Sequence, residues 1–264
     1  MRGGCPVVQM GHVRQVYTSV DGGSFVAIDD LSLDVGTGEI VAIVGKTGCG
    51  KSTTFNILLG LEAPTSGSIT VLGRDPFRDF DHFRSKFGVI FQSDRLLPWR
   101  TTLGNAKVGL EILGYSEKEQ IEIATQWLHK LELNGFEGAY PHELSGGMRQ
   151  RVGIARAFCM SPEIFFADEA FGHLDQSTAK RLREVFLNLI SETKKTCLLI
   201  THNIHEALEI GSRLIVLGKP GRVLYDVKTP SNASRAELAE FEDHILDIIE
   251  KNEVVRDQTA AVAK

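Results

Sequence analysis

The 264-residue chain, with 42% hydrophobic and 24% charged residues, has the balance of a soluble globular protein and room for one large α/β domain or two small ones. A net charge of -5 argues against a general nucleic-acid binder, which needs a basic footprint to displace counterions from phosphates. Four cysteines (Cys5, Cys49, Cys159 and Cys197) without CxxC spacing argue against a disulfide framework or a zinc site and point to a reducing compartment.

From the N-terminus, Met1–Pro6 lacks the apolar stretch of a signal peptide, and no run approaches the roughly 20 apolar residues that cross a bilayer. A membrane role is therefore expected to come through a partner. Val7–Met10, Leu31–Val35 and Ser68–Val71 read as short strands of an antiparallel portion. Leu31, Leu33 and Val35 alternate with Ser32 and Asp34 in the period of a half-buried strand. Glu39–Val44 is a buried strand, followed by a Gly-rich loop and a helix with Phe55, Leu58 and Leu59 on its core face. The chain from about Ser93 to Met160 is mostly helical. Met148, Val152, Ala155 and Cys159 share one face there, and Ser145 stands at the capping position. Ile164–Ala167 and Cys197–Ile200 are two more buried strands, and Phe241, Ile245, Ile248 and Ile249 form the docking stripe of a last helix. Strands alternating with helical patterns predict a mainly parallel sheet, with no repeats and no linker. The ligand crevice of such a sheet lies beyond the carboxyl ends of its strands.

The residues just past those strand ends carry chemistry. Gly45-Lys46-Thr47-Gly48-Cys49-Gly50-Lys51-Ser52-Thr53 has the spacing G-x-x-x-x-G-K-[ST]. Its glycines let backbone N–H groups curl into an anion nest, and the next helix adds its positive end. Lys51 supplies a cation for the β- and γ-phosphates, and the Ser52 hydroxyl a ligand for Mg²⁺. A third glycine is missing where a dinucleotide fold needs one, and no Asn-Lys-x-Asp motif marks a GTPase. After the second strand, Asp168 is placed to hold Mg²⁺ and Glu169 to act as general base on water. After the third, Thr201-His202 puts an imidazole where the γ-phosphate is expected. A lone histidine is more often structural, and the strand-end position favours function here.

Leu144-Ser145-Gly146-Gly147-Met148-Arg149-Gln150-Arg151 resembles the signature motif of ABC ATPases. The resemblance covers nearly the whole chain. It implies a P-loop NTPase (RecA-like) α/β core, an antiparallel β portion and a helical ABC subdomain. The expected division is a single domain over 1–264, with core at about 1–92 and 161–230, helical subdomain at about 93–160 and C-terminal helix at about 235–252. It further implies that Tyr17 stacks on adenine, that Gln92 touches Mg²⁺, and that Gly172–Asp175 joins two cassettes. Ser145, Gly146 and Gly147 would close on the partner's ATP in a head-to-tail homodimer. Ala170, His173 and Asn203 depart from the family's usual Pro, Ala and Asp; none removes a catalytic group.

Arg95–Thr102 and Lys219–Val223 resemble stretches of the nitrate, taurine and aliphatic sulfonate importer ATPases. That implies an integral membrane permease partner, an extracytoplasmic solute-binding protein acting indirectly, a place at the cytoplasmic face of the membrane, and no nucleic acid. Leu96, Leu97 and Trp99 either line a groove for a permease helix or pack as an ordinary apolar loop; the sequence leaves both open. An exporter or lipid-transport ATPase shares every catalytic motif, and a soluble ABC ATPase remains the reading of another class.

Overall fold

The computed structural model describes residues 6–19, 21–172, 174–230 and 234–262, so Cys5 and His173 lie outside the described residues. In chain order the first elements are β1 (Val8–Thr18), β2 (Ser24–Val35), β3 (Ile40–Val44), α1 (Lys51–Leu58), β4 (Ser66–Val71) and β5 (Phe87–Ile90). The middle holds α2 (Thr102–Ala106), α3 (Val108–Ile112), α4 (Glu117–Lys130), α5 (Gly146–Cys159), β6 (Ile164–Asp168) and α6 (Gln176–Thr193). The chain ends with β7 (Thr196–Thr201), α7 (Ile204–Ile210), β8 (Arg213–Gly218), β9 (Arg222–Lys228) and α8 (Arg235–Val262). Among the described residues, no helix is long and apolar enough to cross a membrane.

Contacts group the chain into two units, Met1–Phe80 with Leu198–Lys264, and Asp81–Cys197. In the first, β2, β1 and β4 form an antiparallel sheet. The alternation predicted at its end is present: Leu31, Leu33 and Val35 are buried while Ser32 is exposed. Beside it run β7, β3, β8 and β9 in that order, β3 and β8 parallel and β8 and β9 antiparallel. β3, β7 and β8 are apolar almost throughout and buried, as strands covered on both faces must be. Arg213, itself buried, locks β8 to β9 by a two-pronged ion pair with Asp226 at 2.6 Å and donates to the Asp34 carbonyl of β2. The Asp226 hydrogen bonds push its pKa further up. Ile245 and Ile249 of α8 are buried, so the last stripe docks on this unit.

In the second unit, β5 and β6 pair in parallel, Phe87 opposite Ile164 and Ile90 opposite Ala167. Phe158 of α5, Phe165 of β6 and Phe186 of α6 meet in one aromatic cluster. On α5, Val152, Ala155 and Cys159 are buried and Met148 half-buried, the face read from the sequence. β5 and β6 lie in one contact group with the helical segment, α5 packing on β5. The last helix also runs on to Val262, beyond the stripe that marked it. The hairpin β8–β9 is an element that the sequence pattern did not reveal, and it stands directly behind the Gly-rich loop.

Candidate functional site: a phosphate loop and a capped helix end

β3 delivers the chain into the loop at Gly45, and α1 takes it up at Lys51. Gly48 and Gly50 hold φ of 78° and 91°, values that L side chains rarely adopt. Gly50 also lies so close to β2 that an added Cβ would stand 2.7 Å from the Ala27 carbonyl oxygen. Gly221, in the β8–β9 turn, closes the back by donating to Ala27 O and accepting from Asp29 N, each at 2.8 Å. Lys51 is only 8% exposed, and its ammonium donates inward to the Gly45 and Lys46 carbonyls. The loop is thus wrapped around its own cation. Burial pushes the neighbouring Cys49 thiol up, only partly offset by Lys51. Cys49, Cys159 and Cys197 are free and buried.

The first turn of α1 carries no acidic residue, and Gly50 caps it without a side chain, leaving the helix-end N–H groups to a ligand. Ser52 is exposed beside Thr53. These features fit a polyphosphate: N–H donors, one buried ammonium, a hydroxyl and no competing carboxylate. Tyr17, on β1, is 37% exposed, and its hydroxyl donates to Glu62 at 2.8 Å and stands 3.4 Å from Thr53 Oγ1. Its pKa is raised by burial and by Glu62. His202 is exposed just past β7, the strand beside β3, and Asn203 caps α7 by accepting from Glu206 N–H.

The second unit holds the other residues. Asp168 ends β6 and Glu169 follows it, both half-buried, with Glu169 at φ 46°. A non-glycine residue in that region is a local strain of the kind that gathers at functional sites. Gln92, past the end of β5, donates from Nε2 to Glu169 Oε2 at 2.7 Å. The structure therefore brings together two side chains that the sequence placed separately. Ser145 caps α5 by accepting from Met148 N–H at 3.3 Å, and both Ser145 and Gly146 are exposed. Gly147 faces Thr178 of α6 so closely that a Cβ would stand 2.6 Å from its methyl. Asp175 caps α6, and its carboxyl is held down to about 2, chiefly by the Ser177 hydroxyl and then by Thr178. A cavity of about 220 Å³ is lined by Gln92, Asp94, Gly146, Arg149, Gln150 and Leu174.

A family model described as ABC transporter matches residues 28–172, a span from β2 to the residues after Glu169. The chain belongs to the ABC transporter ATPase family. It is 39% identical over 238 residues to an uncharacterized ABC transporter ATP-binding protein of Methanocaldococcus jannaschii, covering 87% of this chain and 86% of that one. It is 40% identical over 234 residues to the taurine import ATP-binding protein of Escherichia coli K12, covering 88% of each. Among solved structures, a dimeric ATP-binding cassette in a post-hydrolysis state bound to ADP and Pi aligns with a TM-score of 0.74 at 33% identity. That alignment covers 85% of this chain and 99% of the cassette. As a member of the family, the chain is an ATPase whose hydrolysis is coupled to transport.

The structure of this ABC ATPase also shows residues to which the sequence pattern assigned no role. Gln150 is buried in α5 and donates to the Phe91 carbonyl at 3.0 Å and the Ala170 carbonyl at 2.7 Å, tying together the ends of β5 and β6. Arg149 donates to Asp94 at 2.9 Å, and Arg156 to the Asp94 and Arg95 carbonyls. The signature helix thereby grips the segment after Gln92. Asn105 is fully buried, accepts from Leu97 N–H at 2.7 Å and donates to the Leu97, Arg100 and Thr101 carbonyls. That clamp leaves Trp99 72% exposed, with Leu96 and Leu97 half-buried. Of the two readings for that loop, ordinary core packing is therefore the wrong one for Trp99. The signal for Gln150 was available: a buried polar side chain on an otherwise apolar helix face needs partners.

Proposed function

We propose that this chain is the ATP-hydrolysing motor of an importer for a small anion such as taurine, an aliphatic sulfonate or nitrate. It works as a homodimer bound to an integral permease at the cytoplasmic face of the membrane, with a solute-binding protein acting indirectly. The carrying observation is the exposed, side-chain-capped end of α5 at Ser145 and Gly146, in a chain that already has a complete phosphate loop. A second anion-directed helix end is unexplained by one nucleotide in one chain and fits a two-fold pair in which each end completes the other's site. The importer reading is supported by the taurine import relatives and by Trp99, an aromatic side chain held out by a rigid clamp.

In this reading Gly45, Lys46, Thr47, Gly48, Cys49, Gly50, Ser52 and Thr53 wrap the phosphates, and Lys51 turns its ammonium from the loop carbonyls to the β- and γ-oxygens. Tyr17 carries the adenine, and Ser145, Gly146 and Gly147 close on the partner's γ-phosphate. Ser52, Gln92 and Asp168 would hold Mg²⁺, which supplies charge neutralisation on the phosphate oxygens. Glu169 takes a proton from water as the water oxygen bonds to the γ-phosphorus and the bridging oxygen leaves with ADP. His202 donates a hydrogen bond to the γ-phosphate. The Gln92–Glu169 bond keeps the base oriented, and the Arg149–Asp94 contact couples the signature helix to the segment leading to Trp99.

The test is to tag the chain in its native cell, solubilise membranes gently and identify what co-purifies. A polytopic membrane protein in roughly equal amount supports the transporter reading and provides the material for uptake assays with taurine, sulfonates and nitrate. Recovery only from the soluble fraction, alone or with ribosomes or nucleic acid, overturns it.

A further inference from the structure

Tyr17 is held more firmly than a base-stacking residue on a strand end needs to be. Its ring tip donates to Glu62 Oε2 at 2.8 Å, and the other oxygen of Glu62 accepts from Gln15 Nε2 at 2.8 Å. Gln15, nearly buried at 6% exposure, in turn accepts from Thr65 N–H at 2.8 Å and from the Thr65 hydroxyl. Val16 N–H donates to the Thr65 oxygen at 3.0 Å. Three consecutive residues of β1 are thus bonded to the loop 62–65 that follows α1. The Tyr17 hydroxyl also stands 3.4 Å from Thr53, in the first turn of the helix that the phosphate loop opens. The ring is consequently fixed relative to the phosphate-binding end before any ligand arrives.

We infer that Glu62 is a positioning residue for the nucleotide base: it holds the Tyr17 ring at the angle and height on which adenine stacks. The inference rests on the reading of Tyr17 as the adenine platform. A carboxylate is the strongest acceptor available for a phenol, so the ring tip stays anchored while its face remains open to a base. Without the anchor the ring samples other rotamers, and each must be lost again when the base binds. The cost falls on binding alone, because the base is remote from the reacting phosphorus and is held equally in ground and transition states.

The experiment measures KM and kcat for ATP, and the affinity of inorganic tripolyphosphate, in Tyr17→Ala, Tyr17→Phe, Glu62→Ala and Glu62→Gln, with a thermal melt of each. Glu62→Ala is expected to raise KM about 4-fold at unchanged kcat, the size of one hydrogen bond, with tripolyphosphate affinity unchanged. Glu62→Gln keeps a neutral acceptor and a partner for Gln15, and should recover most of that loss. Tyr17→Phe should raise KM similarly, and adding Glu62→Ala to it should change KM no further. Because Glu62→Ala also strips Gln15 of a partner, a variant that melts early shifts the test to Tyr17→Phe, which leaves every Gln15 bond in place and must by itself raise KM about 4-fold at unchanged kcat and unchanged tripolyphosphate affinity. An unchanged KM, an equal loss for tripolyphosphate, or simple additivity overturns the role of Glu62. If Tyr17→Ala, expected to raise KM about 10-fold, leaves it unchanged, the adenine platform itself falls and the inference with it.

Discussion

The phosphate loop and the signature end present the same physical device, a helix N-terminus behind glycines, in opposite conditions. At α1 the cap is Gly50 in a left-handed conformation, no side chain occupies the end, and the one cation is buried and folded back on the loop carbonyls. At α5 the cap is a side chain: Ser145 occupies the Met148 N–H, and the end is exposed. The first is completed at folding, by backbone approaches that admit only glycine. The second is satisfied by its own side chain and stands exposed. The chain therefore presents one helix end capped by glycine and one capped by a serine side chain, and in the proposed dimer the second closes on the partner's nucleotide.

The largest expected effect breaks the link between site and chemistry. Glu169→Gln should lower kcat about a thousand-fold while ATP affinity is kept, the loss of a general base. Near-normal turnover in that variant, read by phosphate release, removes Glu169 from the role. Next, Lys51→Ala should weaken ATP binding about 100-fold by titration calorimetry, since it deletes hydrogen bonds to a charged ligand from inside the loop. Unchanged affinity would show that the loop does not hold phosphate.

Two glycine substitutions sharpen the contrast itself. Gly50→Ala puts a Cβ 2.7 Å from the Ala27 carbonyl at φ 91°, and should cost about 2 kcal/mol in urea unfolding. At Gly146 an added Cβ meets only the Arg149 guanidinium at 3.8 Å, so Gly146→Ala should leave the unfolding midpoint in place yet lower ATPase activity. Equal stability losses at the two positions would erase the distinction between the two helix ends. The smallest effect is at Asp175. Its folded pKa of about 2 lies below the ordinary 3.8, so its stabilising contribution is complete above the ordinary value and is lost as pH falls towards 2. The stability advantage of the native chain over Asp175→Asn in urea unfolding should shrink over that range. A gap independent of pH would mean that the charge on the cap is irrelevant.

Local spacing made the phosphate loop, the capped signature helix and the acidic strand end legible, because each is a run of neighbours whose chemistry depends on sequence offsets. The alternation of Leu31, Leu33 and Val35 likewise reported its own burial. The hairpin β8–β9 pairs antiparallel around the Lys219–Gly221 turn, and the ion pair of Arg213 with Asp226 that fastens it exists only once the strands lie side by side. The pairing of β5 with β6, Phe87 opposite Ile164, joins strands far apart in the chain and is set by tertiary structure.

The sequence by itself determined the family and the candidate groups: a Gly-rich loop, a carboxylate pair, a histidine after a strand and a second helix end. Only tertiary structure decided how they are held and which remain available. Gln92 reaches Glu169 across 77 residues, and Tyr17 reaches Glu62 across 45. Trp99 stands out because Asn105 fastens the loop beneath it. Hydrogen-bond geometry and exposure are properties of positions in space, and a one-dimensional pattern carries them only where the chain's own periodicity sets the distance.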